Sequence, residues 1–128
     1  MHDPTMPSAL VCDDNFYNRD VCSLALQHVG YEVVEAENGR EAINLLAQRQ
    51  FDLLVLDLAM PEVDGIDVLR SINAQPGHRN LCVMVMTAHS HMAVHEDIEG
   101  RADYIIYKPI DVVDFSRLLE RLKRSRSA

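Results

Sequence analysis

Four apolar runs in this chain of 128 residues end in side chains that can do chemistry together. Leu-Val-Cys leads into Asp13-Asp14, Leu-Val-Leu into Asp57, Val-Met into Thr87, and Ile-Ile-Tyr into Lys108. Three carboxylates held in one crevice repel, and the repulsion raises their pKa values unless a cation is present. A hard divalent ion such as Mg²⁺ meets that need, since it takes a few carboxylates together with waters and phosphate oxygens. A hydroxyl and an ammonium beside it are then donors to a bound anion. Carboxylate, Mg²⁺, hydroxyl and lysine are the groups needed to transfer a phosphoryl group onto an oxygen nucleophile. Asp57, alone at the end of a strongly apolar run, is the natural nucleophile. Lys108 carries added weight because the only other lysine, Lys123, falls in what reads as an exposed C-terminal tail.

Convergence of these residues depends on the elements that carry them. The runs Ala9–Cys12, Glu32–Glu35, Leu53–Leu56, Leu81–Met86 and Tyr104–Tyr107 are short and, apart from the second, continuously apolar, which predicts strands covered on both faces, as in a parallel sheet. The segments between them read as helices. The first has a stripe of Val21, Leu24, Ala25 and His28. The second has Ala42, Leu45 and Leu46, and the third Val68, Leu69 and Ile72. The last has Phe115, Leu118, Leu119 and Leu122, with Asp111 as N-cap and Asp114 in the first turn. A fourth helix, about Ser90–Glu99, has no clean stripe. Five β-then-α units predict an α/β doubly wound fold. In such sheets ligands bind outside the carboxyl ends of the strands, where Asp13, Asp14, Asp57, Thr87 and Lys108 fall.

Length and composition predict one domain over residues 1–128, with a core of about 8–123 and fraying ends at 1–7 and 124–128. The net charge of −8 is uneven: residues 1–64 carry 12 acids and 3 bases, residues 65–128 carry 8 and 9. An acidic chain is a poor general binder of nucleic acid or anionic membrane. Besides Asp13, Asp14 and Asp57, the acids of the first half read as surface residues on helices and turns. Three cysteines without C-x-x-C spacing fit a reducing cytoplasm, with Cys12 and Cys82 buried in apolar runs and Cys22 on a helix face. The start of the chain lacks an apolar signal segment, and no run approaches the roughly 18 residues of a membrane span.

The motifs Leu-Val-Cys-Asp13-Asp14-Asn, Leu-Val-Leu-Asp57-Leu-Ala-Met-Pro61-Glu-Val-Asp64-Gly65, Val-Met-Thr87-Ala88 and Tyr-Lys108-Pro109 occur in order at the ends of the strand-like runs. Over about Ser8 to Lys123 the chain resembles a response-regulator receiver domain of two-component signalling, chemotaxis-regulator-like and single-domain. The resemblance implies a flavodoxin-like (βα)5 fold with strand order 2-1-3-4-5. It implies Asp57 as phosphoacceptor, with Asp14 and Asp57 binding Mg²⁺ directly, Asp13 acting through metal-bound water, and the Ala59 carbonyl completing the shell. Thr87 would hydrogen-bond the phosphoryl group and Lys108 would pair with one of its oxygens. Pro109 would follow a cis bond, Pro61 and Gly65 would shape the loop after Asp57, and Gly65 would open the third helix. The donor would be a histidine kinase or histidine phosphotransfer protein. The effector would be read on the face made by the fourth helix, fifth strand and fifth helix. A length of 128 residues is expected to leave no room for an output domain, so output is expected through protein–protein contact or onward transfer of the phosphoryl group.

The chain also departs from the family pattern. The usual switch aromatic, three residues before the lysine, is Ile105, flanked in the strand by Tyr104 and Tyr107. Ala59, two residues past Asp57, offers no side chain to position an attacking water. His89, two past Thr87, stands where phosphoryl lifetime is tuned, and slow to moderate self-dephosphorylation is expected. Two other classes compete with the switch: a receiver that binds partners without phosphorylation, and a Mg²⁺-dependent phosphohydrolase with an aspartyl-phosphate intermediate. Ala59 opposes the second, since such enzymes need an acid there. His91 and His95, spaced i, i+4, have no third metal ligand beyond His89 and read as exposed. Glu62 and Asp64 read as turn residues, and the basic tail as a solvated helix face.

Overall fold

The computed structural model describes residues 6–58, 65–74, 80–87 and 102–127. Its elements are β1 (Ser8–Cys12), α1 (Phe16–Val29), β2 (Glu32–Ala36), α2 (Gly39–Gln48), β3 (Leu53–Asp57), α3 (Gly65–Asn73), β4 (Cys82–Thr87), β5 (Tyr104–Tyr107) and α4 (Val112–Ser127). The five strands form one parallel sheet in the order β2-β1-β3-β4-β5. That order leaves β1 and β3 adjacent at the centre, with chain connections running outward on either side. The helix expected over 90–99 lies outside the described residues.

The continuous apolar runs resolve into two cores because successive side chains of a strand point to opposite faces. Leu10, Leu54, Leu56, Val83 and Val85 pack with Ala42, Leu46, Val68, Leu69 and Ile72 of α2 and α3. Ala9, Val11, Leu53, Val55, Met84 and Met86 pack with Cys22, Leu26, Val29, Phe115 and Leu119 of α1 and α4. Burying a Leu- or Phe-sized side chain contributes roughly 1.5–3 kcal/mol relative to exposure, so α1 and α4 are held chiefly by these contacts.

One helix turns a different face to the sheet from the one its sequence suggests. The buried residues of α1 include Cys22, Ala25, Leu26 and Val29, whereas Leu24 is 57% exposed and His28 is exposed. Both stripes have helical spacing, and only packing on the sheet selects between them. Cys22 is therefore a core residue, while Cys82 is only half-buried. Burial pushes the Cys12 and Cys22 thiols up to about 12, which leaves them unreactive.

Side-chain caps set the helix starts. The Asn15 side chain accepts from the Asn18 N–H at 3.0 Å, and Asn38 accepts from the Glu41 N–H at 2.8 Å. Asp111 accepts from Val113 and Asp114 at 2.9 and 3.1 Å, as its position before Val112 suggests. These bonds satisfy N–H groups that have no partner inside the helix.

Lys123 is not part of a free tail. Its Nζ donates to the Val29 carbonyl at 2.7 Å, and α4 continues through Ser127, past the point where the sequence suggests fraying. A cation at the C-terminus of α1 complements the helix dipole and ties the two helices together. Gly30 follows Val29 with φ of 107°, and its N–H and that of Tyr31 both reach back to the Leu26 carbonyl, at 3.1 and 2.9 Å. A Cβ at Gly30 would collide with the Lys123 ammonium. We predict that Gly30→Ala loses about 2 kcal/mol in urea unfolding, from left-handed backbone strain and the displaced ammonium. An unchanged midpoint would contradict this packing.

Candidate functional site

Asp13 follows β1 and Asp57 ends β3, both in phase with the alternate residues facing α1 and α4. Continuing two buried rows past their last apolar side chains puts two carboxylates at the carboxyl edge of the sheet. Both are almost fully buried, while Asp14 is exposed. One oxygen from each of the three lies within 4.8 Å of the others, a spacing that can hold a metal ion. The Lys108 ammonium, reaching over from the end of β5, lies 3.1 Å from Asp57 Oδ1.

Asp13 is fixed on several sides. Its N–H donates to the Ala36 carbonyl at 3.2 Å, its Oδ1 accepts from the Asn15 N–H at 2.9 Å, and its carbonyl accepts from Arg19 Nη1 at 2.9 Å. Its second oxygen, Oδ2, is buried and has no hydrogen-bond partner among the described residues. A buried orphan carboxylate oxygen is costly, and a metal ion or its bound water removes that cost. Burial pushes the Asp13 carboxyl up from 3.8 to about 6. The Asn15 hydrogen bond pulls it back, the Asp57 charge raises it further, and Lys108 lowers it. The donor set, all carboxylate oxygens with one orphaned, fits a hard divalent cation.

Thr87 ends β4, buried, one residue past Met86, the register partner of Asp57. Its carbonyl accepts from the Lys108 N–H at 2.9 Å, so β4 and β5 carry their polar ends side by side. The Leu58 N–H donates to the Met86 carbonyl at 3.1 Å and holds the chain beyond Asp57 in place. The Lys108–Pro109 bond is cis. A Cβ on Gly65 would lie 2.8 Å from the Leu58 backbone and 2.9 Å from the Asp57 carbonyl, so only glycine lets α3 start this close to the site.

The structure thus brings Asp13, Asp14, Asp57 and Lys108 together, with Thr87 on the adjoining strand end. Ile105 is half-buried against the core under α2 and α3, Tyr104 is 37% exposed, and Tyr107 is the register partner of Thr87. Pro109 is exposed. Ala59 and Ala88 lie outside the described residues, as do Pro61, Glu62, Asp64, His89, His91 and His95.

Arg19 is the neighbour of the site that sequence reading missed. It is buried, and its Nε donates to Glu35 Oε1 at 2.8 Å. Its other terminal nitrogen lies 3.7 Å from Glu37, and the guanidinium rests 5.5 Å from the Phe16 ring centroid. Nor are all the remaining acids of the first half solvated surface groups. Glu35 and Glu32 lie on strand β2 and pair with Arg19 and Arg49, and Asp52 accepts from the Ser8 N–H at 2.8 Å. A lone charge in a polar stretch gives no sign of its partner across the sheet, which is why these pairs stay hidden in the sequence.

The model of the response regulator receiver domain matches residues 9–123. The chain belongs to the response-regulator receiver domain family. The transcriptional regulatory protein ZraR of Escherichia coli O157:H7 is 36% identical over 114 residues, which are 88% of this chain and 25% of ZraR. Response regulator SaeR of Staphylococcus aureus (strain USA300) is 30% identical over 123 residues, 93% of this chain and 53% of SaeR. The receiver domain therefore spans a quarter to about half the length of these relatives. Among solved structures, the chemotaxis response regulator CheY4 of Vibrio cholerae superposes with a TM-score of 0.83 at 26% identity, covering 92% of this chain and 99% of CheY4. TrrA of Thermotoga maritima, solved in complex with Mg²⁺–BeF, has a TM-score of 0.78 at 31% identity and covers 93% and 98%. Receiver domains bind Mg²⁺ in an acidic pocket and act as signalling modules that contact histidine kinases and effectors.

The raised Asp13 pKa has a consequence for stability. Between pH 4 and 6 the folded receiver holds a proton that the unfolded chain has released, so stability falls as pH rises through that window. The fall is complete above the folded value. In metal-free buffer we predict that Asp13→Asn flattens this part of the pH–stability curve and exceeds wild type in stability at neutral pH. Parallel wild-type and variant curves would contradict the assignment.

Proposed function

We propose that this receiver domain accepts a phosphoryl group on Asp57 from a phosphohistidine donor and signals through protein–protein contact. The observation that carries this reading is the cluster of Asp13, Asp14 and Asp57 within 4.8 Å, with Lys108 at 3.1 Å from Asp57. Asp14 and Asp57 would hold Mg²⁺ directly, Asp13 through water, and the Ala59 carbonyl would complete the set. When bound, the ion neutralises charge that builds on the phosphoryl oxygens. An Asp57 carboxylate oxygen attacks phosphorus, the P–N bond breaks, and the electron pair leaves with the donor imidazole, which takes up a proton. Lys108 then exchanges its bond to the carboxylate for one to a phosphoryl oxygen. Thr87, on the next strand end, donates its hydroxyl to another and shifts an existing inactive–active equilibrium.

The donor docks beside the site. A groove of about 500 Å³ runs between Tyr17 and Val21 of α1 and Lys108, Pro109, Ile110 and Val112. It joins apolar side chains to the lysine that faces Asp57, which suits a helical partner presenting a phosphohistidine. The effector reads a face that includes the exposed Tyr104 of β5 and α4. Ile105 leaves no aromatic at the usual switch position, so Tyr107, register partner of Thr87, is the aromatic placed to respond. The protein turns over only its own aspartyl phosphate. A cytoplasmic setting is supported by three free thiols, and no described helix is long and apolar enough to cross a membrane.

Incubation with Mg²⁺ and a small-molecule phosphodonor, followed by intact mass, tests the reading. We expect one phosphoryl adduct in wild type, none in Asp57→Asn, and a strongly reduced yield in Asp14→Ala. No adduct in wild type would favour phosphorylation-independent binding. Sustained turnover of phosphate esters would favour a phosphohydrolase.

A further inference from the structure

We propose that Arg19 is a positioning residue for the metal-binding carboxylates, acting through the main chain of Asp13 rather than through its charge. The inference rests on the reading of Asp13, Asp14 and Asp57 as a divalent-cation site.

The geometry separates two halves of the guanidinium. Nε is engaged by Glu35, and another nitrogen faces Glu37, so both acidic partners lie on the β2 side. Nη1 is spent on the Asp13 carbonyl at 2.9 Å. That carbonyl belongs to the peptide linking Asp13 to Asp14, the joint from which both carboxylates hang. Pinning it fixes ψ of Asp13 and φ of Asp14 together. The Asp13 N–H is meanwhile held by the Ala36 carbonyl, also at the end of β2. With Oδ1 taken by the Asn15 N–H, buried Oδ2 is left without a hydrogen-bond partner among the described residues. Arg19 thus carries the rigidity of the sheet edge, through Glu35, to the turn that presents the ligands.

A guanidinium is suited to this task and an ammonium is not. Its planar fork directs separate N–H groups along fixed, divergent lines, so Glu35 and the Asp13 carbonyl can be bonded at once. A lysine at this position can keep the ion pair with Glu35 but cannot hold both partners in the same geometry. Outer groups that orient metal ligands are typically worth ten- to a hundredfold in affinity. The Glu35 pair itself is half-exposed, with Glu35 40% accessible, and so contributes little as a charge interaction.

These contrasts define the experiment, done on the full chain by calorimetric titration with Mg²⁺ alone and by urea unfolding in metal-free buffer. Arg19→Lys should weaken Mg²⁺ binding about tenfold while its unfolding midpoint stays near wild type. Glu35→Gln retains an acceptor for Nε and should bind Mg²⁺ within about twofold of wild type. Should Arg19→Lys fail to fold, Arg19→Gln carries the same expected loss, read at a temperature where circular dichroism shows it folded. Wild-type Mg²⁺ affinity in the folded Arg19 variant would overturn the proposal. So would a Glu35→Gln variant as weak as Arg19→Lys, since charge and not the carbonyl clamp would then be at work. A wild-type chain that takes up no Mg²⁺ would remove the metal reading itself, an outcome distinct from failure of the clamp alone.

Discussion

Mutual repulsion among Asp13, Asp14 and Asp57 is the constraint around which this structure is arranged. Two of the three are buried, where water screens little of the repulsion, and the fold supplies only partial compensation. Lys108 answers Asp57, and the Asn15 N–H answers one oxygen of Asp13, but Asp13 Oδ2 has no partner among the described residues. An apolar replacement would be cheaper for folding alone. A site held in this state is poised for a cation and, through it, for a phosphoryl group.

The sheet makes such a cluster possible. Its parallel strands end together at one edge, and each carries its polar residue one step beyond the last apolar side chain. The hydrophobic rows of β1 and β3 bury Asp13 and Asp57 because they continue in the same phase. The same rows fasten α1 and α4, whose near ends border the groove beside Lys108. Core packing and site geometry are therefore one arrangement. Gly65 shows this most directly, since its missing Cβ is what lets α3 begin against the backbone of Asp57 and Leu58.

The strands, their order and the five polar residues at their ends were legible because each signal is local or motif-borne. Continuous apolar runs mark buried strands, and a carboxylate at the end of one is visible without knowledge of its neighbours. The face of α1 was not legible. Val21 and Leu24 form a stripe with helical spacing as good as that of Cys22, Leu26 and Val29, so periodicity alone could not choose. Lys123 and Arg19 were missed for another reason: their partners, the Val29 carbonyl and the Asp13 carbonyl, are backbone groups that carry no sequence signature. The caps at Asn15 and Asn38 could have been found, since asparagine before a helix is a favoured N-cap and Glu41 stands three residues past Asn38.

An acidic site that is unfavourable when empty must stabilise the fold when filled. The most direct test is the urea-unfolding midpoint of the wild-type receiver with and without Mg²⁺. Mass action predicts a gain that grows with the logarithm of free Mg²⁺, about 2.7 kcal/mol at a hundredfold excess over Kd. The same gain should be lost when Asp57 is replaced by alanine. Identical midpoints with and without the ion would contradict the account.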